Sequence, residues 1–93
     1  MQRLEEDYPG DAAWQAFASL YTQEYDDANS RALADVLSGH LDIASIIYGK
    51  RGIKEAFWWI EQSVPALDGL RPLDCLADPV LLRRLKTALM RMP

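Results

Sequence analysis

The sequence predicts an all-α fold, a single compact domain of about five or six short helices, on three observations. Apolar residues recur at three- and four-residue spacing through most of the chain. Glycine, proline and Asp, Asn or Ser capping signals cut that pattern into short lengths. At 93 residues the chain can bury one hydrophobic core, and at this size a partner subunit would add needed stability, so a homo-oligomer or hetero-oligomer is expected. Within the one domain, residues 1–40 read as an acidic helical segment and residues 41–93 carry the more distinctive ordering.

Composition narrows the class. Hydrophobic residues at 49% and charged residues at 26% suit a folded chain rather than a disordered one. One cysteine, Cys75, cannot form an internal disulfide, and the start lacks a charged region followed by a long apolar run, so a cytoplasmic location is expected. No apolar stretch approaches the roughly 20 residues that span a bilayer, which predicts a soluble protein without a membrane partner. The net charge of −4 conceals an asymmetry: residues 1–42 hold nine carboxylates against Arg3 and Arg31, while the rest sums to +3. The halves either attract each other or face different partners.

Residues 1–10 are polar, end in Pro9-Gly10 and read as a loosely held lead-in, with Asp11 positioned to cap the first helix. Trp14, Phe17, Ala18, Tyr21 and Tyr25 then lie on one helix face, as core or, for the tyrosines, at an interface. Asn29 or Ser30 can cap a second helix through Leu33, Val36 and Leu37, closed by Gly39. Asp42 can cap a third through Ile43, Ile46, Ile47 and Tyr48, with Gly49 placed to end it in a left-handed conformation. The β-branched residues leave a strand open there; the three-and-four spacing favours helix. Lys50-Arg51-Gly52 reads as a solvated basic turn, lacking the glycines of a phosphate cradle.

A helix over 53–64 places Ile53, Ala56, Phe57, Trp59, Ile60 and Val64 on one broad arc. Trp58 falls outside it, among Lys54, Glu61 and Gln62, and is either covered by the N-terminal helices or is an interface anchor. Pro65 to Pro72 form a rigid corner, after which Leu73 and Leu76 resume a helical pattern. Asp78-Pro79 reads as cap and first residue of the last helix. Its apolar arc opposes Arg83, Arg84, Lys86 and Arg91, grouped around Met90. Those charges either solvate a face or meet a partner.

No catalytic, cofactor-binding or metal-binding residues emerge. The sole histidine, His40, is 35 residues from Cys75 with no motif around either, and zinc would require more cysteines or histidines. An enzyme is not expected. Direct DNA binding, as a small helical transcriptional regulator or adaptor, is the second reading: the basic last helix favours it, and the sequence pI near 4.8 and acidic first half oppose it.

The run Ala56-x-x-Trp59-Ile60, the corner from Pro65 through Leu67, Gly69 and Pro72 to Leu76, the Tyr48-Gly49 element and the leucine-rich last helix resemble the toxin-binding domain of the Xre/MbcA/ParS antitoxin family. The similarity covers residues 41–93. It implies a member of a bacterial toxin–antitoxin system, without a cofactor, that neutralises a cognate toxin, usually a RES-domain enzyme consuming NAD, by covering its active site. Residues 1–40 do not align with the helix-turn-helix that many members carry. The expected partner surface lies on the C-terminal half, at Trp58 or on the face bearing Arg83, Arg84, Met90 and Arg91. Ala56, Trp59, Leu67, Gly69 and Pro72 are its structural motif.

Overall fold

A computed structural model describes residues 3–93. After a 3₁₀ turn at Leu4–Asp7 come α1 (Asp11–Glu24), α2 (Ala28–Val36), α3 (Leu41–Arg51), α4 (Ile53–Trp59), two 3₁₀ turns at Pro65–Leu67 and Pro72–Cys75, and α5 (Pro79–Arg91). The radius of gyration, 12.2 Å, matches the roughly 12 Å of one compact domain of this length. The fold is all-α, as expected.

α3 is the central element, packed on α1, α2, α4 and α5. Ile43, Ala44, Ser45, Ile46 and Ile47 are buried in succession, which is why its pattern resembles a strand: a helix enclosed on all sides loses its polar face. Trp14 and Ala18 of α1, Leu33 of α2, Ala56 and Trp59 of α4, and Leu85 and Leu89 of α5 close the core around it.

Several helix ends differ from the sequence reading. α1 begins after Gly10, and Asp11 instead accepts from the Tyr8 hydroxyl at 2.7 Å. Burial and that hydrogen bond push the Tyr8 phenol up to about 12. The cap of α2 is Asp27, not Asn29 or Ser30; its carboxylate accepts from Ser30 N–H while the Ser30 hydroxyl accepts from Asp27 N–H, a reciprocal box. Ser30 N–H and the Tyr48 hydroxyl, both donating to it, hold the Asp27 carboxyl below its ordinary value. α2 closes through Ser38 and Gly39, both at positive φ, with Gly39 N–H donating to Ala34 C=O at 2.8 Å. Asp42 lies inside the first turn of α3 and accepts from Trp14 Nε1 at 2.9 Å, joining α1 to α3.

Gly49 does not end α3. It lies inside that helix, which runs on through Lys50 and Arg51 to Gly52 at φ 78°. The reason for a glycine at 49 is proximity: a Cβ there would lie 2.6 Å from Tyr21 Cδ1 and 2.7 Å from Tyr25 Cε2. Lys50 and Arg51 are therefore helical, not a solvated loop. Lys50 Nζ sits 5.6 Å above the Phe17 ring and donates to Met92 C=O, and Arg51 lies 4.9 Å above the Trp59 ring. α4 stops at Trp59 rather than Val64, and the resumed pattern at Leu73 is a four-residue 3₁₀ turn.

Candidate functional site

The candidate residues lie on two surfaces, the outer face of α4 with the corner that follows it, and α5 with the N-terminal turn. On α4 two adjacent tryptophans, about 100° apart around the axis, separate inside from outside. Trp59 is 6% exposed and Trp58 is 58% exposed. The N-terminal helices do not cover Trp58.

The corner is set by backbone geometry. Pro65–Leu67 forms one turn, Asp68 adopts a left-handed conformation at φ 56°, and Gly69 follows at φ 82°. Gly69 N–H donates to Val64 C=O at 3.0 Å, and Val64 N–H donates to Leu70 C=O at 3.0 Å, so the loop closes on itself. The Ser63 hydroxyl donates to Gly69 C=O. Leu67 and Pro72 are buried beneath, and Leu73 N–H donates to Ile60 C=O at 3.2 Å, fastening the corner to the end of α4. Arg71 grips Asp74 through two bonds of 2.8 and 3.0 Å, which hold that carboxyl below its ordinary value. Cys75 is buried, and burial pushes its thiol up, away from the reactive thiolate.

α5 starts as expected, with Asp78 Oδ1 accepting from Val80 N–H at 2.8 Å and Leu81 N–H at 3.2 Å, and Pro79 in the first helical position. Its basic face is not the open surface the sequence suggests. Arg84 is 7% exposed. Its Nε and Nη2 donate to both oxygens of Glu5 at 2.9 and 3.0 Å, and its Nη1 lies 3.1 Å from Asp68 of the corner. These bonds hold the Glu5 carboxyl down at about 2 and raise the Arg84 guanidinium. Arg91 pairs with Asp7 at 2.9 Å. Lys86 lies 5.1 Å above the Trp14 ring, and Met90 is half-buried against the core. Of the residues expected to face a partner, Trp58 and Arg83 stand exposed, Arg91 is exposed within its pair, and Arg84 and Met90 are turned inward. The long arginine stem buries its methylenes along the helix and brings its charge to Glu5 instead of water.

Glu5 and Asp7 are the residues that sequence reasoning missed. The lead-in is no loose tail over its described part: Leu4–Asp7 docks on α5, while residues 1 and 2 lie outside the described residues. The signal was the opposite charge of the two halves. Beside this seat an open cavity of about 290 Å³ is walled by Leu4, Trp59, Val64, Ala88 and Met92, with Arg51 and Arg91 at its edge.

No group of three or more His, Cys, Asp or Glu able to hold a metal ion occurs among the described residues, and no described helix is long and apolar enough to cross a membrane. Compared with known protein families, curated proteins and solved structures, the chain matches none.

Proposed function

We propose that this chain is an antitoxin-like binding protein that neutralises a cognate toxin by covering its active site, the toxin being of the RES-domain, NAD-consuming class. The observation that carries the reading is Trp58, a large aromatic ring 58% exposed beside a corner held by internal hydrogen bonds. An exposed tryptophan on an ordered support is the kind of side chain that dominates binding energy at interfaces. The resemblance is supported by Ala56 and Trp59 being buried on α4, Leu67 being buried in the corner, Gly69 having positive φ and Pro72 opening the next turn. A DNA-binding regulator or adaptor is less well supported, because Arg84 and Arg91 already hold carboxylates and Lys86 lies over an indole ring.

Co-purification with the product of the neighbouring gene tests the proposal. Trp58→Ala should weaken the complex by about 2 kcal/mol or more, while the isolated variant melts within about 0.5 kcal/mol of the parent because the ring has little to lose on its exposed side. Retained complex formation with Trp58→Ala would remove this surface from consideration. Gel shifts address the alternative: the chain alone should show only weak, salt-sensitive binding to promoter DNA, and tight operator-specific binding at physiological salt would favour the regulator.

A further inference from the structure

The N-terminal turn lies on α5 in the manner of a short bound peptide. Glu5 reaches Arg84 across 79 positions of sequence and Asp7 reaches Arg91 across 84. Leu4 forms one wall of the cavity floored by Trp59. None of the four residues of the turn belongs to the buried core, and two ion pairs, Glu5 with Arg84 and Asp7 with Arg91, tie the turn to α5. Between the turn and α1 lies Gly10 at φ 104°, a conformation open to glycine, and the Tyr8 hydroxyl spans this joint to Asp11 at 2.7 Å.

We propose that this seat is an interaction surface for an acidic segment of a partner protein, one in which an apolar residue precedes a first carboxylate by one position and a second by three, and that residues 4–7 occupy it in cis until such a segment displaces them. The complementarity is two-fold. Arg84 and Arg91 are seven residues apart on α5 and project from the same side of it, so they select two carboxylates at once. The adjoining apolar cavity selects a hydrocarbon side chain next to them, which a phosphate backbone would leave unfilled. An arm on a short tether competes at an effective concentration of about a millimolar, which weakens any incoming segment in proportion. The inference requires a protein partner with an acidic segment and stands apart from the identity of any toxin.

The test uses a fluorescein-labelled peptide of residues 3–10, Arg-Leu-Glu-Glu-Asp-Tyr-Pro-Gly, titrated by anisotropy against the full chain. The Glu5→Gln/Asp7→Asn double variant, whose own arm is weakened, should bind the peptide saturably and about tenfold or more tighter than the parent chain. Adding Arg84→Met, or replacing the peptide's glutamates and aspartate by amides, should abolish binding. Absence of saturable binding to the double variant would overturn the proposal. The parent chain supplies a second reading that does not depend on the variant: millimolar peptide should move the NMR signals of residues 4–7 toward their values in free peptide, and unmoved signals would overturn it too. A DNA oligonucleotide that displaces the labelled peptide as well as unlabelled peptide does would show that the seat reads charge alone, and would likewise overturn the protein-segment reading.

Discussion

The seam between α1 and α3 and the corner between α4 and α5 each depend on a glycine, and the two glycines answer different constraints. Gly49 has ordinary helical geometry, and its place is dictated by the Tyr21 and Tyr25 rings, whose atoms would lie 2.6 and 2.7 Å from a Cβ. Gly69 has room, with its nearest neighbour, Ser63 Oγ, at 4.0 Å from such a Cβ, and its place is dictated by φ 82°. One position limits what can be added in space; the other limits what the backbone can adopt. The seam is a run of aromatic contacts, with Phe17 5.4 Å from Tyr21 and Tyr25 5.1 Å from Tyr48. The corner and its neighbours are held by backbone hydrogen bonds and by ion pairs to Arg71 and Arg84.

Substitution at the two glycines should separate these causes, with the largest effect at the seam. Gly49→Val forces two stacked rings aside and should cost about 2–3 kcal/mol, despite the better intrinsic helix propensity of valine over glycine. A thermal melt checks it, at roughly 4–8 °C per kcal/mol for a domain of this size. Truncating the ring as well sharpens the claim: Tyr21→Ala should reduce the penalty of Gly49→Ala, and strictly additive losses would show that the contact is not the cause.

At the corner, Gly69→Val should cost about 1–2 kcal/mol through left-handed strain alone. Gly69→Asn should cost less than about 1 kcal/mol, since asparagine tolerates that region. Equal losses for valine and asparagine would count against a conformational cause. The same pair at position 49 should behave in the opposite sense, with asparagine no better than valine.

The ion pairs make the corner side sensitive to acid, an effect absent at neutral pH. The Glu5 carboxyl falls from an ordinary 4.5 to about 2 in the folded chain because Arg84 bonds to its charged form. The unfolded chain therefore takes up a proton first as pH falls, so the stabilisation is complete above about pH 4.5 and drains away toward pH 2. Melting temperature should drop across that window. In Glu5→Gln the chain should begin less stable at pH 7 and lose less between pH 5 and 2, and parallel pH profiles for the two proteins would refute the assignment.

Much of this was legible from local pattern. The helical character of each segment, the Asp78-Pro79 start of α5, the corner between Pro65 and Pro72 and the place of Trp58 off the apolar arc of its helix all follow from spacing or from the steric rules of single residues. These are properties a short stretch carries by itself. Contacts between distant stretches were not legible in the same way. The reading of Gly49 as a helix terminator failed because the rings that require it belong to another helix, 28 and 24 positions earlier.

By itself, then, the sequence determined an all-α chain, its division into short helices, and the place of Trp58 off the apolar arc of α4. Periodicity and dihedral preference act within a few residues, and they are written in order along the chain. Tertiary structure alone decided that Arg84 faces Glu5 and not solvent, that Asp42 holds Trp14, and that the N-terminal turn lies on α5. An arginine on a helix surface carries no local mark of its partner. Whether its charge is solvated or paired depends on which remote carboxylate the packed core brings within 3 Å, and that is a property of the whole fold.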